Sequence, residues 1–177
     1  MILPIISFLI LMTYIIIACM IFKEVPNSLS NTYYMYKQKK EYLKFLFPIM
    51  MFTISSLLLP SWLNITEGSN WQFLSFLTCA SIMFVGAAPN FKNVGIENKV
   101  HTIAAIISAV CALSWCLIIV PNSWIIILIN LIIIILLASI SNTIKKSYTF
   151  WLEMIAFLSL YFSLFIHIFA LNNFIIS

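Results

Sequence analysis

Charged residues are scarce in this chain, which has no arginine, no aspartate and only 8% charged residues overall. Soluble domains carry about 25% charged residues. Because 63% of the 177 residues are hydrophobic, the chain cannot form a surface that water solvates well. The composition therefore predicts an integral membrane protein. The net charge of +4 does not indicate a nucleic-acid partner, because the lysines lie in short loops between apolar segments.

Residues that bind metals or form disulfides are also few. The chain has two histidines and no aspartate, and none of its four cysteines belongs to a CxxC pair. Cysteines inside apolar segments usually behave as small hydrophobic residues. Phosphate loops, nucleophile elbows, haem sites and zinc-binding helices have no match in the sequence. We therefore expect no catalytic residue, no metal site and no cofactor.

Apolar stretches make up most of the chain, and six of them approach the roughly 20 residues that a spanning helix needs. They are 2–22, 45–63, 71–88, 100–120, 122–140 and 148–171. The first lacks the positive start and cleavage site of a signal peptide, so we interpret it as a retained helix. The pattern predicts an all-α, polytopic integral membrane protein. Residues 1–177 are expected to form a single bundle of six transmembrane helices.

The lysines test this count of six. All nine lie in the first, third and fifth loops between the predicted spans. Positive residues mark cytoplasmic loops, so the odd loops are expected inside and both termini outside. One missed or extra helix would scatter the lysines over both faces. The expected location is the bacterial inner membrane, with membrane lipids as partners and a homo-oligomer or membrane protein partner as further candidates.

The first cytoplasmic loop, "KEVPNSLSNTYYMYKQKKEYLK", is the longest segment outside the spans. We interpret it mainly as flanking sequence whose lysines set the orientation. The alternative is a segment that lies on anionic headgroups. Ser30 or Asn31 is predicted to cap a helix that runs into the second span.

Ionisable residues within apolar segments are functional candidates, because a charge inside a bilayer is costly. Glu153 lies about 7 Å into the sixth segment, and His101 opens the fourth at the same predicted cytoplasmic level. The pair suits a general acid and base, a proton site, a headgroup site or a structural hydrogen bond. Ser28, Ser30 and Asn90 reach this level from their loops. We predict that these five residues line a ligand-binding site.

A second set of polar residues follows one face of the sixth segment. Glu153, Ser163 and His167 share this face because about 100° of rotation per residue brings them back to it. Such stripes allow close helix packing, and the alternative is a polar path through the membrane. His167 is expected about 20 Å from His101 along the membrane normal. Since metal–ligand bonds measure about 2 Å, the two histidines are not expected to share an ion.

The stretch 84–105 has "FVGAAP", a short polar loop and "VH" opening an alanine-rich span, and "VPNSLSNTYY" follows the first span. This pattern resembles small uncharacterised six-helix membrane proteins of gut bacteria and their phages, and more distantly the Frag/DRAM/Sfk-like group. The resemblance implies a six-helix bundle with a role in lipid organisation or membrane homeostasis, and no catalytic residues. Within the stretch, Gly86 and Pro89 are predicted to end the third span and turn the chain.

The leading functional hypothesis is a non-catalytic membrane protein that binds a lipid headgroup, a small ligand or a partner at its cytoplasmic face. An oligomeric channel or membrane-perturbing effector using the Glu153–Ser163–His167 face is the first alternative. A membrane-embedded enzyme acting on lipid, with Glu153 and His101 as acid and base, is the second.

Overall fold

The computed structural model describes residues 2–92, 95–141 and 144–176, without the side chains of residues 137, 138, 140, 141, 144–146 and 171–176. This part of the chain is helical and contains no strand, so the all-α prediction is confirmed. A short 3-10 helix, Glu41–Phe45, leads into the third helix. The helices are α1 (Ile2–Phe22), α2 (Thr32–Lys39), α3 (Leu46–Ile65), α4 (Gln72–Ala87), α5 (Ile96–Ile119), α6 (Ser123–Ser141) and α7 (Ile144–Ile176).

The six predicted spans correspond to α1, α3, α4, α5, α6 and α7, with ends that shift by a few residues. Four stretches are long and apolar enough to cross a membrane: Ile2–Phe22, Glu41–Ile65, Ile96–Ile119 and Ser147–Ala170. Helix α4 and the apolar part of α6, Ser123–Leu136, are shorter. The chain thus has several helices suited to a bilayer.

The helices pack around a core to which α1, α3, α4, α5 and α7 contribute. Helix α4 lies between α3 and α5, and these two contacts are the most extensive helix pairs of the described chain. Helix α7 packs on α5 and α6, and α1 packs on α3. Among the buried hydroxyls, Ser7 Oγ donates to the Ile54 carbonyl at 3.0 Å and lies 2.6 Å from the Tyr161 hydroxyl. These bonds join α1, α3 and α7.

The chain after α1 folds back into the bundle instead of running along its surface. Lys23 has a φ of 54°, and the segment Val25–Asn31 follows, here called the inserted loop. Ser28, Leu29, Ser30 and Asn31 of this loop are buried, as is the first turn of α2. The prediction of a headgroup-bound loop is therefore wrong for this part of the segment, and the interpretation that the lysines of the whole segment set the orientation stays a prediction.

Helix α2 also differs from the predicted capped helix that continues into the second span. Asn31 occupies its cap position without a side-chain cap bond, and Ser28 Oγ accepts the Asn31 N–H at 3.0 Å. The helix stops at Lys39 because Lys40 is extended. Burial raises the pKa of the phenol of Tyr36 on this helix above its ordinary value, so the ring remains uncharged.

Gly86 does not turn the chain, contrary to the sequence-based prediction. It lies within α4, one residue before the helix ends, and it is buried against α3. A Cβ atom added at this position would lie 2.9 Å from the Met51 Cβ. The glycine therefore allows α3 and α4 to approach closely, as small residues do in membrane helix pairs.

We predict that Gly86→Ala destabilises the protein by about 1–3 kcal/mol, because the new methyl group overpacks the contact with Met51. Gly86→Leu should have a larger effect. The free energy of unfolding in detergent, measured by denaturant titration, checks both variants. The control is Ala87→Leu, which adds carbon atoms at the neighbouring exposed position. Equal stability of Gly86→Ala and the native chain would contradict this interpretation of the glycine.

Candidate functional site

The inserted loop is held by the beginning of the long part of α7. Helix α7 has a kink at Ser147, whose φ of −126° and ψ of 26° are not helical. The first N–H groups of a helix lack partners within it. The Phe150 N–H uses this freedom to donate to the Asn27 carbonyl at 3.1 Å. Ser147 Oγ donates to the Val25 carbonyl at 3.2 Å.

Leu29 is the deepest anchor of the loop and contacts the candidate carboxylate directly. Its side chain is 1% exposed, and its backbone N–H donates to Glu153 Oε2 at 2.5 Å. Glu153 is six residues after the kink, which corresponds to about 9 Å along the helix axis. The Leu29 carbonyl accepts the Thr32 hydroxyl at 2.5 Å, and Tyr14 of α1 lies 2.5 Å from that hydroxyl oxygen. Glu153 therefore holds a non-helical segment inside the bundle.

His101 holds the same loop from the opposite side. Its Nδ1 lies 2.9 Å from the Ala88 carbonyl, and its Nε2 lies 2.9 Å from Ser30 Oγ. A carbonyl oxygen can only accept, so Nδ1 carries the proton of a neutral ring. Nε2 is then an acceptor, and Ser30 donates its hydroxyl proton to it. Phe91 stacks on the imidazole with a centroid distance of 4.7 Å.

His101 and Glu153 therefore meet the inserted loop but not each other. Glu153 binds the Leu29 amide and His101 binds the side chain of the next residue, Ser30, so two adjacent loop residues bridge α5 and α7. Ser28 is buried nearby, where it accepts the Asn31 N–H. Asn90 is half-buried and contributes no hydrogen bond to the described cluster. Four of the five predicted site residues, all except Asn90, are thus linked through the loop backbone.

A cavity of about 70 Å³ lies beneath Leu29 and Ser30. Glu153 is its only ionisable lining residue, and the other polar residues at its wall are hydroxyl-bearing. Leu29 of the inserted loop and apolar side chains from α3, α4, α5 and α7 form the remainder. The complete lining is Leu29, Ser30, Met51, Thr78, Ile82, Val85, Ala105, Ser108, Ala109, Ala112, Glu153, Ala156, Phe157 and Leu160. The arrangement can hold a small polar group with an adjoining apolar portion.

The other predicted polar residues of α7 lie away from this cavity. Ser163 is fully buried, and its hydroxyl has no hydrogen-bond partner among the described atoms. His167 is half-buried and lies edge-on to the Trp115 ring, with 6.1 Å between the centroids. Neither residue lines the cavity around Glu153. The shared helix face therefore contains a cavity residue and two separate packing positions.

Sequence reasoning placed Ser28 and Ser30 at the candidate site but missed that their loop is buried and anchored through Leu29. Leu29 is the only aliphatic residue in "NSLSN", and an isolated leucine between serines was the one available signal. Thr78 and Ser108 were also missed, because hydroxyl residues inside apolar helices are common packing residues. No group of three or more metal-ligating side chains occurs among the residues with described positions.

Comparisons with known proteins identify no relative of this chain: no family model, curated protein or solved structure matches it.

The His101–Ser30 bond is expected to contribute to stability, which a double-mutant cycle can measure. We predict that His101→Phe lowers the free energy of unfolding by about 1–3 kcal/mol, because the Ser30 hydroxyl and the Ala88 carbonyl lose their partner. Phenylalanine retains a ring to stack on Phe91. Ser30→Ala combined with His101→Phe should destabilise by less than the sum of the single changes.

The control for this cycle is His167→Phe, which replaces a ring that makes only an edge contact with Trp115. Its effect should be smaller, and it should add to that of Ser30→Ala. Strict additivity of His101→Phe and Ser30→Ala would show that the 2.9 Å contact contributes no coupling energy.

Proposed function

We propose that this protein crosses a membrane six times and acts as a non-catalytic binding protein, which accepts the polar group of a lipid or other membrane-soluble ligand near its cytoplasmic face. The observation that carries this proposal is the carboxylate of Glu153 at a mostly apolar cavity beneath the inserted loop. Carboxylates at membrane depth are rare and mark functional positions.

The size and chemistry of the cavity favour part of a ligand over a whole lipid. A cavity of about 150 Å³ holds benzene, so the 70 Å³ here suits a group about half that size. Leu29, Val85 and Phe157 offer apolar contact beside the Glu153 carboxylate. A headgroup with its first methylene groups matches this combination of one charged and several apolar contacts.

The same geometry gives less support to the two alternative functions. Both ring nitrogens of His101 have partners, and the Leu29–Ser30 backbone separates the imidazole from Glu153, which does not suit an acid–base pair. A channel along α7 would have to continue from Glu153 to Ser163 and His167. The described cavity instead ends at Leu160.

Six spans are supported by the positions of the two short helices. Helix α4 has 16 residues, or about 24 Å, and it lies between α3 and α5, which both have the length of a span. A bilayer can thin locally around a short helix at modest cost. Helix α6 has 19 residues and packs on α7. With six spans, the lysine pattern supports a topology with both termini outside and the inserted loop at the cytoplasmic face.

Cysteine labelling can test this topology on a chain whose four native cysteines are replaced by alanine. We predict that Lys39→Cys and Lys99→Cys react only with reagent added from the cytoplasmic side, and that Glu67→Cys reacts only from outside. Lys99 is decisive, because a four-span chain in which α4 does not cross places Lys99 opposite Lys39. Labelling of Lys39→Cys and Lys99→Cys from opposite sides would contradict the six-span proposal.

Filling the cavity should displace the ligand. We predict that Ala156→Leu, which places a larger side chain next to Glu153, removes lipid or other small molecules that co-purify with the native chain. Native mass spectrometry of the detergent-solubilised protein measures the bound mass. The control is Ala170→Leu, the same change at an exposed position of the same helix. Retention of an identical bound mass in Ala156→Leu would mean that the ligand binds elsewhere.

A further inference from the structure

The polar side chains around the cavity share a property that restricts its ligand. Thr78 Oγ1 donates to the Leu74 carbonyl at 2.8 Å, and Ser108 Oγ donates to the Ala105 carbonyl at 3.1 Å. Ser30 donates its proton to His101, as the fixed tautomer of that ring requires. Every hydroxyl proton of the cavity wall is therefore already used. Towards a ligand, these three hydroxyl oxygens can only accept hydrogen bonds.

Glu153 adds a carboxylate to this set of acceptors. One oxygen, Oε2, accepts the Leu29 N–H, and Oε1 receives no hydrogen bond from the described residues. No lysine with a described side chain pairs with Glu153. An ionised carboxylate in an apolar site needs a cation or a donor to offset its loss of hydration.

We propose that the cavity binds a primary ammonium group, with Glu153 as its counter-ion and the Ser30, Thr78 and Ser108 oxygens as further acceptors. This inference rests on the proposed binding function and adds the ligand class to it. An ammonium group carries three N–H donors, which matches a wall whose side chains only accept. An anion would face the Glu153 carboxylate. A quaternary ammonium brings charge but has no N–H to donate.

Two sources can supply the same chemistry. A phospholipid with an aminoethyl headgroup carries a primary ammonium next to two methylene groups, and a free alkylamine carries it at the end of an apolar chain. Both place carbon atoms next to the charged nitrogen, where Leu29, Val85 and Phe157 lie. The two sources differ in whether the ligand stays in the bilayer, so separate experimental arms distinguish them.

The first arm uses soluble probes with the full-length protein in detergent. Hexylammonium, hexyltrimethylammonium and hexanol are compared by the shift in thermal unfolding temperature. Hexylammonium is expected to raise the unfolding temperature of the native chain and of Glu97→Gln, which loses an exposed carboxylate of α5. Glu153→Gln should bind it at least tenfold more weakly. Glutamine retains an oxygen that can accept the Leu29 N–H, so the variant keeps the loop anchor.

The second arm reconstitutes the same chains in nanodiscs of phosphatidylethanolamine or phosphatidylcholine. Native mass spectrometry then counts the lipids retained after the bilayer is stripped away. Preferential retention of phosphatidylethanolamine by the native chain, lost in Glu153→Gln, identifies a lipid source. Retention of neither lipid, together with specific binding of hexylammonium, identifies a free amine. Either result supports the ammonium site.

Other results overturn the inference in distinguishable ways. Equal binding of hexylammonium to the native chain and Glu153→Gln, or equal binding of hexyltrimethylammonium, shows that the site does not select N–H donors. If hexanol binds as well as hexylammonium and Ala109→Leu abolishes both, the cavity is a ligand site for a different class. If no probe or lipid binds in either arm, the proposed binding function fails as well.

Discussion

Backbone groups that are buried without forming a helix must find partners within the protein, because an unpaired buried N–H or carbonyl is costly. The inserted loop meets this requirement through α7. The kink at Ser147 frees the Phe150 N–H for Asn27, and the Ser147 hydroxyl reaches Val25. A continuous helix would have used that N–H within α7. The kinked start of α7 and the inserted loop therefore supply hydrogen-bond partners for each other. The loop, held in this way, covers the cavity.

The loop also makes the two ionisable residues interdependent. Leu29 and Ser30 are adjacent, so any movement of one displaces the other. A ligand that pulls Glu153 away from the Leu29 amide would also disturb the Ser30 contact with His101. One dipeptide, Leu29–Ser30, thus connects the two side chains, for which the structure shows no direct bond to each other.

Much of this fold follows from the sequence, since length and hydropathy alone identify all six apolar helices within a few residues. The placement of His101 and Glu153 at one level also follows from depth counting. The inserted loop does not, because serine and asparagine favour surface loops and burial of their backbone depends on partners distant in sequence. Gly86 was misinterpreted for the same reason: a glycine near a helix end suits a turn, and only the position of Met51 shows that close packing needs it.

Glu153 has two roles in this account, as an anchor of the inserted loop and as the proposed ligand site, and the two roles require different properties of its side chain. As a loop anchor it needs only an acceptor for the Leu29 N–H, which a neutral amide supplies equally well. As a ligand site it needs a charge, and within the described chain only the Leu29 N–H donates to that carboxylate, because the hydroxyls of the cavity wall donate elsewhere. A glutamine would place an NH₂ donor among those acceptors and would satisfy them from within the chain. Under the proposed ammonium site, the carboxylate at this position is explained by a donor from outside the chain that completes the site.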